Sequence, residues 1–205
     1  MLHRLARIAA LPVLTAALCL GVPAAAQMSD SYKFLDSVKK KEGNEVTEAL
    51  EKGSPNLINT RDVTTGETAL HIVTQRRDLT WMQFLIGKGA NVNIRDVRGQ
   101  TPLTVASNFS FVEEVDLLVA RGARVDDTNN AGETPLITAV HNRNLALVRV
   151  LLKAGANPTR ADNSGRNAID YAAIEGKNGT IYAELEAARK GKAAVGTKPT
   201  YGPNF

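Results

Sequence analysis

Two short sequence landmarks recur every 33 residues along this chain. In the first, a glycine stands two residues before a threonine or asparagine and four before a leucine or isoleucine; it begins at Gly66, Gly99, Gly132 and Gly165. The second is a glycine–alanine pair, which begins at Gly89, Gly122 and Gly155. Two landmarks with one period indicate a structural repeat in which each unit packs on its neighbours. We therefore expect an elongated stack rather than a globule around one central core.

The first 26 residues have the pattern of a secretory signal peptide. Two arginines lie near the start, residues 8–22 are uncharged and largely apolar, and small residues occupy 24–26. This pattern predicts cleavage between Ala26 and Gln27 and export to the periplasm. The alternative is an uncleaved membrane anchor, since residues 8–26 nearly suffice to cross a bilayer. Two prolines and the small residues before the cleavage point favour cleavage.

Composition after residue 26 excludes several classes of function. Cys19 is the only cysteine, so the mature chain has no disulfide and must be held together by packing. Removing the leader lowers the net charge from +4 to +2. So small an excess does not support nucleic acid or an anionic membrane as the partner. No later segment is long and apolar enough to predict a membrane span.

Each repeat is predicted to contain a turn, two helices and a loop. Turn sequences such as the one from Asp96 to Gly99 provide a glycine for positive φ. A threonine then precedes the first helix, where its hydroxyl can accept from a free amide. These helix caps are Thr68, Thr101 and Thr134, and Pro102 and Pro135 follow at the first helical position.

The second helix of each repeat has its own start and stop signals. Ser110 and Glu113 are predicted to form a capping box, and Asn144 precedes the equivalent helix of the next repeat. Leucines and valines then follow at helical spacing. The glycine–alanine pairs end these helices. Trp81 lies in such a helix, and we expect it to pack against the core or the outer face.

These residues closely resemble the ankyrin repeat. The family's 33-residue unit has a Thr-Pro-Leu-His turn into the first helix, a Leu-Leu pair in the second and a terminal Gly-Ala. Thr101-Pro102-Leu103, Thr134-Pro135-Leu136, Leu117-Leu118 and Leu151-Leu152 match. Ala69 and Ala168 replace the proline, and only His71 keeps the histidine. The resemblance implies an all-α solenoid of stacked helix–turn–helix units with β-turn tips.

The repeat period divides the mature chain into units. The ends are expected to be divergent capping repeats with polar outer faces, and the last helix to run over about residues 180–190. The predicted segments are the signal peptide 1–26, a repeat domain 27–190 made of an N-terminal cap 31–62, full repeats 63–95, 96–128 and 129–161 and a C-terminal cap 162–190, and a disordered tail 191–205.

Catalytic and metal-binding residues are sparse. The mature chain has two histidines, His71 and His141, and they belong to repeats two units apart. We interpret His71 as a structural residue that bonds Thr68 or loop backbone. The aspartates that recur near turn glycines, namely Asp96, Asp126, Asp127 and Asp162, have the ordinary turn role and not the spacing of a calcium loop. The sequence predicts no cofactor.

The resemblance implies a protein-binding surface at the turn tips and on the first helices, which form a concave face in this family. At the tips it points to Arg95, Val97, Arg98, Gln100, Thr128, Asn130, Glu133, Asn163 and Arg166. On the first helices it points to Gln75, Arg76, Asn108, Phe109, His141 and Asn142. Arginine and aromatic residues are favoured interface anchors, so we expect the centre at Phe109, flanked by Arg76, Arg98 and His141.

Three functional hypotheses follow from the sequence. The first is a non-enzymatic, monomeric protein of the periplasm that binds a folded protein partner. The second is a small metal-dependent enzyme or metal-binding protein that uses Asp and His side chains. The third adds a biological outcome to the first, since the resemblance implies an accessory or regulatory factor for a periplasmic enzyme.

Overall fold

The structure is a computed structural model that describes residues 29–196, with side chains described through residue 191. Within that range it contains ten α-helices and no strand. A single 3-10 turn spans Leu57–Asn59. The helices are α1 Asp30–Lys40, α2 Gly43–Lys52, α3 Ala69–Gln75, α4 Leu79–Gly87, α5 Pro102–Asn108, α6 Val112–Ala120, α7 Pro135–His141, α8 Leu145–Lys153, α9 Ala168–Glu175 and α10 Thr180–Gly196.

Several helices begin where a side chain satisfies a free amide of the first turn. Thr101 Oγ1 accepts from the Thr104 amide at 3.3 Å, and Thr134 Oγ1 accepts from the Ile137 amide at 3.2 Å. Proline follows each cap at the first helical position, where no amide is needed. Asn144 caps α8, since its side chain accepts from the Leu147 amide.

The helices form two layers. The odd-numbered helices α1, α3, α5, α7 and α9 pack in sequence and make the inner layer, and each even-numbered helix packs on the helix before it. Three leucines of the inner layer are fully or almost fully buried, at Leu70, Leu103 and Leu136. Burying one such side chain contributes about 1.5–3 kcal/mol. The all-α repeat solenoid predicted from the sequence is confirmed.

The capping box predicted at Ser110 and Glu113 is wrong. Phe111 is the N-cap residue of α6, and it makes no side-chain cap bond. Ser110 has φ of 59°, a left-handed conformation that reverses the chain between α5 and α6. Its hydroxyl accepts instead from Asn142 of the next repeat, at 3.2 Å.

The last helix is longer than the sequence predicts. α10 continues to Gly196, six residues past the expected end at residue 190. Alanine and lysine dominate this stretch and both favour helix, so Gly191 interrupts the pattern without ending the helix. The expected boundary at residue 190 is therefore wrong.

Several sequence-based predictions concern residues outside the described range. The signal peptide at residues 1–26, its cleavage point and the tail from residue 197 to residue 205 all lie there. Across residues 29–196, every helix is too short or too polar to cross a membrane.

Candidate interaction surface

The turn tips of neighbouring repeats are joined by a ladder of backbone hydrogen bonds. In each rung, an amide of one turn donates to a carbonyl of the preceding turn. The rungs are Val97 to Thr65 at 3.0 Å, Asn130 to Arg98 at 3.0 Å and Asn163 to Ala131 at 3.1 Å. The tips are thus fixed relative to one another, and side chains on them project from an ordered backbone.

Two asparagines predicted as binding residues reinforce this ladder. Asn130 Nδ2 donates to the Val97 carbonyl at 3.1 Å, and Asn163 Nδ2 donates to the Asn130 carbonyl at 3.0 Å. Their amide nitrogens are therefore used within the protein. Val97 is 58% exposed, so it places an accessible apolar side chain on the ladder.

The aspartates near the turns close the tips from inside. Asp96 is buried, and its Oδ1 accepts from the Arg98 and Gln100 amides at 2.8 and 2.7 Å. Its Oδ2 accepts from Arg98 Nε at 3.1 Å. Asp162 does the same for the last turn, accepting from the Ser164 and Arg166 amides. These carboxylates are occupied by backbone donors, which is the turn role expected for them.

Asp126 does not belong to a turn tip. Its Oδ1 accepts from the Asn157 amide of the following repeat at 2.9 Å. Asn93 and Asn59, one and two repeats earlier, accept in the same way from the Arg124 and Asn91 amides. The expected turn role is wrong for Asp126, because this position ties one loop to the next.

His71 links two repeats in a buried position. The Thr68 amide donates to His71 Nδ1 at 3.2 Å, so Nδ1 carries no proton. Nε2 therefore holds the hydrogen and donates to the Gln100 carbonyl at 3.0 Å. Burial lowers the pKa of His71 below its ordinary value, and the neutral ring suits both bonds. The structural role predicted for His71 is confirmed.

A polar chain runs along the inner layer beside the tips. Gln75 Nε2 donates to Glu67 Oε1 at 2.6 Å, and the same oxygen lies 3.5 Å from Arg98 Nη2. Two repeats after Glu67, Asn129 Nδ2 donates to Glu133 Oε2 at 2.9 Å. Of the predicted residues, Gln75 and Arg98 thus meet at one carboxylate, that of Glu67.

His141 lies between an acid and an aromatic ring. Its Nδ1 is 3.9 Å from Glu133 Oε1, and its ring packs edge-on against Tyr171 with centroids 4.4 Å apart. The Arg166 guanidinium also lies over the Tyr171 ring, with Cζ 6.0 Å from the ring centroid. Tyr171 in turn donates to Asp162 Oδ2 at 2.6 Å, and this bond is the main reason why the pKa of Asp162 falls to about 2.

Other predicted residues hold the repeats together. Arg95 Nη1 donates to the Thr128 carbonyl at 2.6 Å, and Arg95 Nη2 lies 3.4 Å from Asp127 Oδ1. Asn142 Nδ2 donates to the Ser107 and Asn108 carbonyls at 3.2 and 3.1 Å. Thr128 is half-buried and Asn108 is exposed at the end of α5.

Two of the residues predicted to flank Phe109 have other surroundings in the structure. Arg76 Nη1 donates to the Val38 carbonyl of the preceding repeat at 2.8 Å, and its guanidinium lies over the Trp81 ring of its own repeat. Arg98 precedes α5 whereas Phe109 caps its other end, so a seven-residue helix, about 10 Å long, separates them. The length of α5 therefore explains why Arg98 does not flank Phe109. Phe109 itself is 55% exposed.

Sequence reasoning missed three residues that adjoin Phe109. Phe111 stacks on Phe109, Arg77 lies over Phe111, and buried Glu114 lies 3.3 Å from Arg77 Nε. The repeat register held the missing signal: Trp81 and Leu147 stand one repeat before and after Glu114. A carboxylate at an apolar repeat position marks an exception that has a structural cause.

Metal binding finds no support among these side chains. Within residues 29–196, no group of three or more His, Cys, Asp or Glu side chains is arranged to hold an ion. His71 has both nitrogens occupied by protein atoms, and it lies in a different repeat from His141.

The fold and the tip ladder define a helical-repeat solenoid that presents side chains on a fixed backbone. Comparison with protein families agrees. A model described as ankyrin repeats in three copies matches residues 35–129, and one described as ankyrin repeats in many copies matches residues 118–172. Together they cover more than half of the chain. The chain therefore belongs to the ankyrin-repeat family, whose repeats commonly mediate protein–protein interaction.

Proposed function

We propose that this protein is a non-enzymatic interaction module that is exported, loses its leader and binds a folded protein in the periplasm. Membership of a family whose repeats commonly bind proteins supports the interaction role. The pattern of the first 26 residues supports export. In this proposal the module acts as an accessory or regulatory factor, the outcome that the family resemblance implies.

The observation that carries the proposal is the hydrogen-bond ladder between the tips. Binding is weakened when side chains and loops must be ordered in the complex. Here the tip backbone is already fixed by bonds between repeats, so Val97 and Arg98 are displayed at little further entropic cost. A partner gains from every contact that these fixed positions offer.

A binding experiment tests the tip surface. The purified mature protein is immobilised and exposed to periplasmic extract, and retained proteins are identified by mass spectrometry. Val97→Ser combined with Arg98→Glu should lose the partner, since truncating an interface anchor costs about 2 kcal/mol or more. Arg121→Glu is the matched control, because Arg121 is exposed at the end of α6 and forms no rung of the tip ladder.

Two results would reject the proposed binding surface. Recovery of the same proteins by the tip variant would show that the tips are not used. Equal loss with Arg121→Glu would indicate a general charge effect. Melting curves of both variants must match the parent protein for the comparison to hold.

Export and oligomeric state have direct measurements. We expect the periplasmic fraction to contain the protein with Gln27 as its first residue, as determined by N-terminal sequencing. Light scattering after size exclusion should give the mass of a monomer. A protein retained in the membrane with its leader intact would overturn the export proposal.

A further inference from the structure

A second surface lies at the opposite end of the inner helices from the turn tips. We call it the junction edge, and it comprises the loops that join each inner helix to its outer helix: residues 41–42, 76–78, 109–111, 142–144 and 176–179. Four residues of these loops that follow an inner helix have positive φ although none is glycine, namely Lys41, Arg77, Ser110 and Arg143.

The middle of the junction edge carries three stacked planar groups. The Phe109 and Phe111 rings are stacked with centroids 5.3 Å apart and planes inclined by 19°. The Arg77 guanidinium lies over Phe111, with Cζ 5.2 Å from the ring centroid. Such cation–π contacts favour the placement of a guanidinium over an aromatic ring. We call Arg77, Phe111 and Phe109 the aromatic stack.

A buried carboxylate holds one end of the aromatic stack. The Glu114 side chain is completely buried, and neither of its oxygens has a hydrogen-bond partner among the described residues. Its nearest cation is Arg77, whose Nε lies 3.3 Å away. A buried charge is unfavourable unless it is paired. Glu114 therefore acts as a positioning residue that draws Arg77 onto Phe111.

The other end of the aromatic stack is fixed by the next repeat. Asn142 Nδ2 donates to the Ser107 and Asn108 carbonyls and to the Ser110 hydroxyl, at 3.1–3.2 Å. These bonds hold the chain on both sides of Phe109. Phe109 nevertheless remains more than half exposed. The loop is thus ordered around an apolar side chain that the fold does not need to bury.

The electrostatics of the junction edge favour an acidic ligand. Its loops contain five basic residues and two acidic ones. Inner helices end at this edge and outer helices begin there, so their opposite dipoles largely cancel. Arg77 is 58% exposed, and beyond its Nε contact with Glu114 no described residue accepts a bond from its Nη groups. Those groups are the available donors next to the aromatic rings.

We propose that the aromatic stack is a docking site for an acidic peptide segment that carries an apolar side chain. The proposal rests on the proposed function and adds a second contact surface to the tips. The apolar side chain packs on the open face of Phe109, and a carboxylate accepts from Arg77 Nη. The stack spans at most about 10 Å, which about three residues of extended chain cover. The carboxylate and the apolar residue are therefore about three positions apart in the peptide.

A peptide titration tests this docking site. The blocked peptide acetyl-FSSEE-amide is added to the ¹⁵N-labelled mature protein, with acetyl-FSSQQ-amide as the uncharged control. We expect the largest shifts at the amides of Phe109 and Phe111 and at the Arg77 Nε–Hε signal. The control peptide should bind at least ~tenfold more weakly, the size of effect expected for a charged hydrogen bond of about 1.5 kcal/mol.

Matched variants separate the stack from the rest of the edge. Arg77→Gln and Phe109→Ala should each weaken binding of FSSEE about tenfold. Arg143→Gln is the control for Arg77→Gln, because Arg143 has the same left-handed backbone and an acidic partner, Glu175, but no aromatic stack. Glu114→Gln should move the Arg77 Nε–Hε signal of the free protein and weaken binding, which a purely structural role would not do.

Several outcomes would overturn the docking proposal. These are shifts confined to the turn tips, equal binding of both peptides, or equal loss with Arg143→Gln. Stronger shifts of the stack with vesicles containing phosphatidylglycerol than with FSSEE would assign the site to a membrane instead. Absence of peptide binding together with partner capture through the tips rejects the stack alone and leaves the proposed function standing.

Discussion

Four residues share one position of the repeat but meet different surroundings. His71, Thr104, Ile137 and Asp170 are each the third residue of an inner helix. His71 reaches the next repeat through the Gln100 carbonyl, whereas Thr104 bonds within its own turn. Ile137 is simply buried, and Asp170 accepts from the Asn167 amide. One position thus serves a bond between repeats, a local cap or apolar packing.

His71 should make stability depend on pH. Burial lowers the pKa of His71 in the folded state. Below the ordinary pKa of 6.5, the unfolded chain therefore binds a proton at His71 that the folded protein does not bind. Stability is therefore fully present above pH 6.5 and decreases as the pH falls below it. His71→Thr, the residue present at 104, should cost about 1 kcal/mol at pH 7.5 through the lost bonds.

The diagnostic quantity is the difference in the free energy of unfolding between the parent protein and His71→Thr. Urea unfolding at pH 7.5 and at pH 5 measures this difference. We expect this difference in stability to be smaller at pH 5, because only the parent protein carries the buried imidazole and loses stability as the pH falls. A gap of constant size would show that His71 does not contribute to the pH dependence.

Asp162 gives a second prediction at the level of one side chain. The Tyr171 hydroxyl stabilises the charged carboxylate and is the largest cause of its pKa of about 2. Tyr171→Phe should raise this pKa toward the ordinary 3.8, measured by NMR titration of the carboxyl carbon. Because the folded pKa is depressed, the associated stability is present above pH 3.8 and lost as the pH falls through about 2.

Ser164→Ala provides the comparison for Tyr171→Phe. The Ser164 hydroxyl is the second cause of the depressed pKa of Asp162, so its removal should raise the pKa less. An unchanged Asp162 pKa in Tyr171→Phe would mean that the phenol bond does not hold the charge.

At the level of elements, the turn glycines allow a matched pair of substitutions. Gly99 and Gly165 have φ of 75° and 82°, so alanine introduces similar backbone strain at both. A Cβ at Gly99 would lie 2.4 Å from Asn130 Oδ1 of the next tip, whereas one at Gly165 meets no atom within 4 Å. Of these two positions, only Gly99 therefore needs glycine for contact with the next tip.

Gly99→Ala should consequently destabilise the protein more than Gly165→Ala. Both variants bear the strain of a left-handed alanine, about 1 kcal/mol. Gly99→Ala should lose about 1 kcal/mol more, because Asn130 must move and its bond to the Val97 carbonyl weakens. Chemical denaturation measures both. Equal losses of unfolding free energy in the two variants would mean that Asn130 can move without destabilising the tip ladder.

At the scale of the whole molecule, contacts run from repeat to repeat, since each inner helix packs on the next inner helix along one continuous hydrophobic core. In such a stack, a lesion spreads mainly to adjacent repeats. Leu185 is fully buried in α10, and Leu185→Ala should cost about 2–5 kcal/mol locally. Hydrogen exchange should then accelerate in α8, α9 and α10 and remain unchanged in α1–α4.

Leu103→Ala is the control for this local response. Leu103 is equally buried but lies in the central repeat, so protection should fall on both sides of α5. Uniform loss of protection in both variants would indicate a single cooperative unit instead.

Periodic features were predictable from the sequence, whereas exceptions to the period were not. Thr101 and Thr134 were identified as caps because a helix start needs only local atoms. Ser110 was misassigned because its left-handed backbone and its Asn142 bond depend on the next repeat. The surroundings of Phe109 were not predictable for a similar reason, since they include Phe111 of the same loop and Arg77 of the repeat before.

The sequence by itself determined the repeat, its two helices and the turn that precedes them, because caps, glycines and apolar spacing act over a few residues. Only the tertiary structure decided which surface residues are available. Arg76, Asn130 and Asn142 are drawn into bonds between repeats, whereas Val97 and Phe109 are left exposed. Such bonds join residues about 33 positions apart, and whether a side chain reaches its partner depends on how the repeats are stacked.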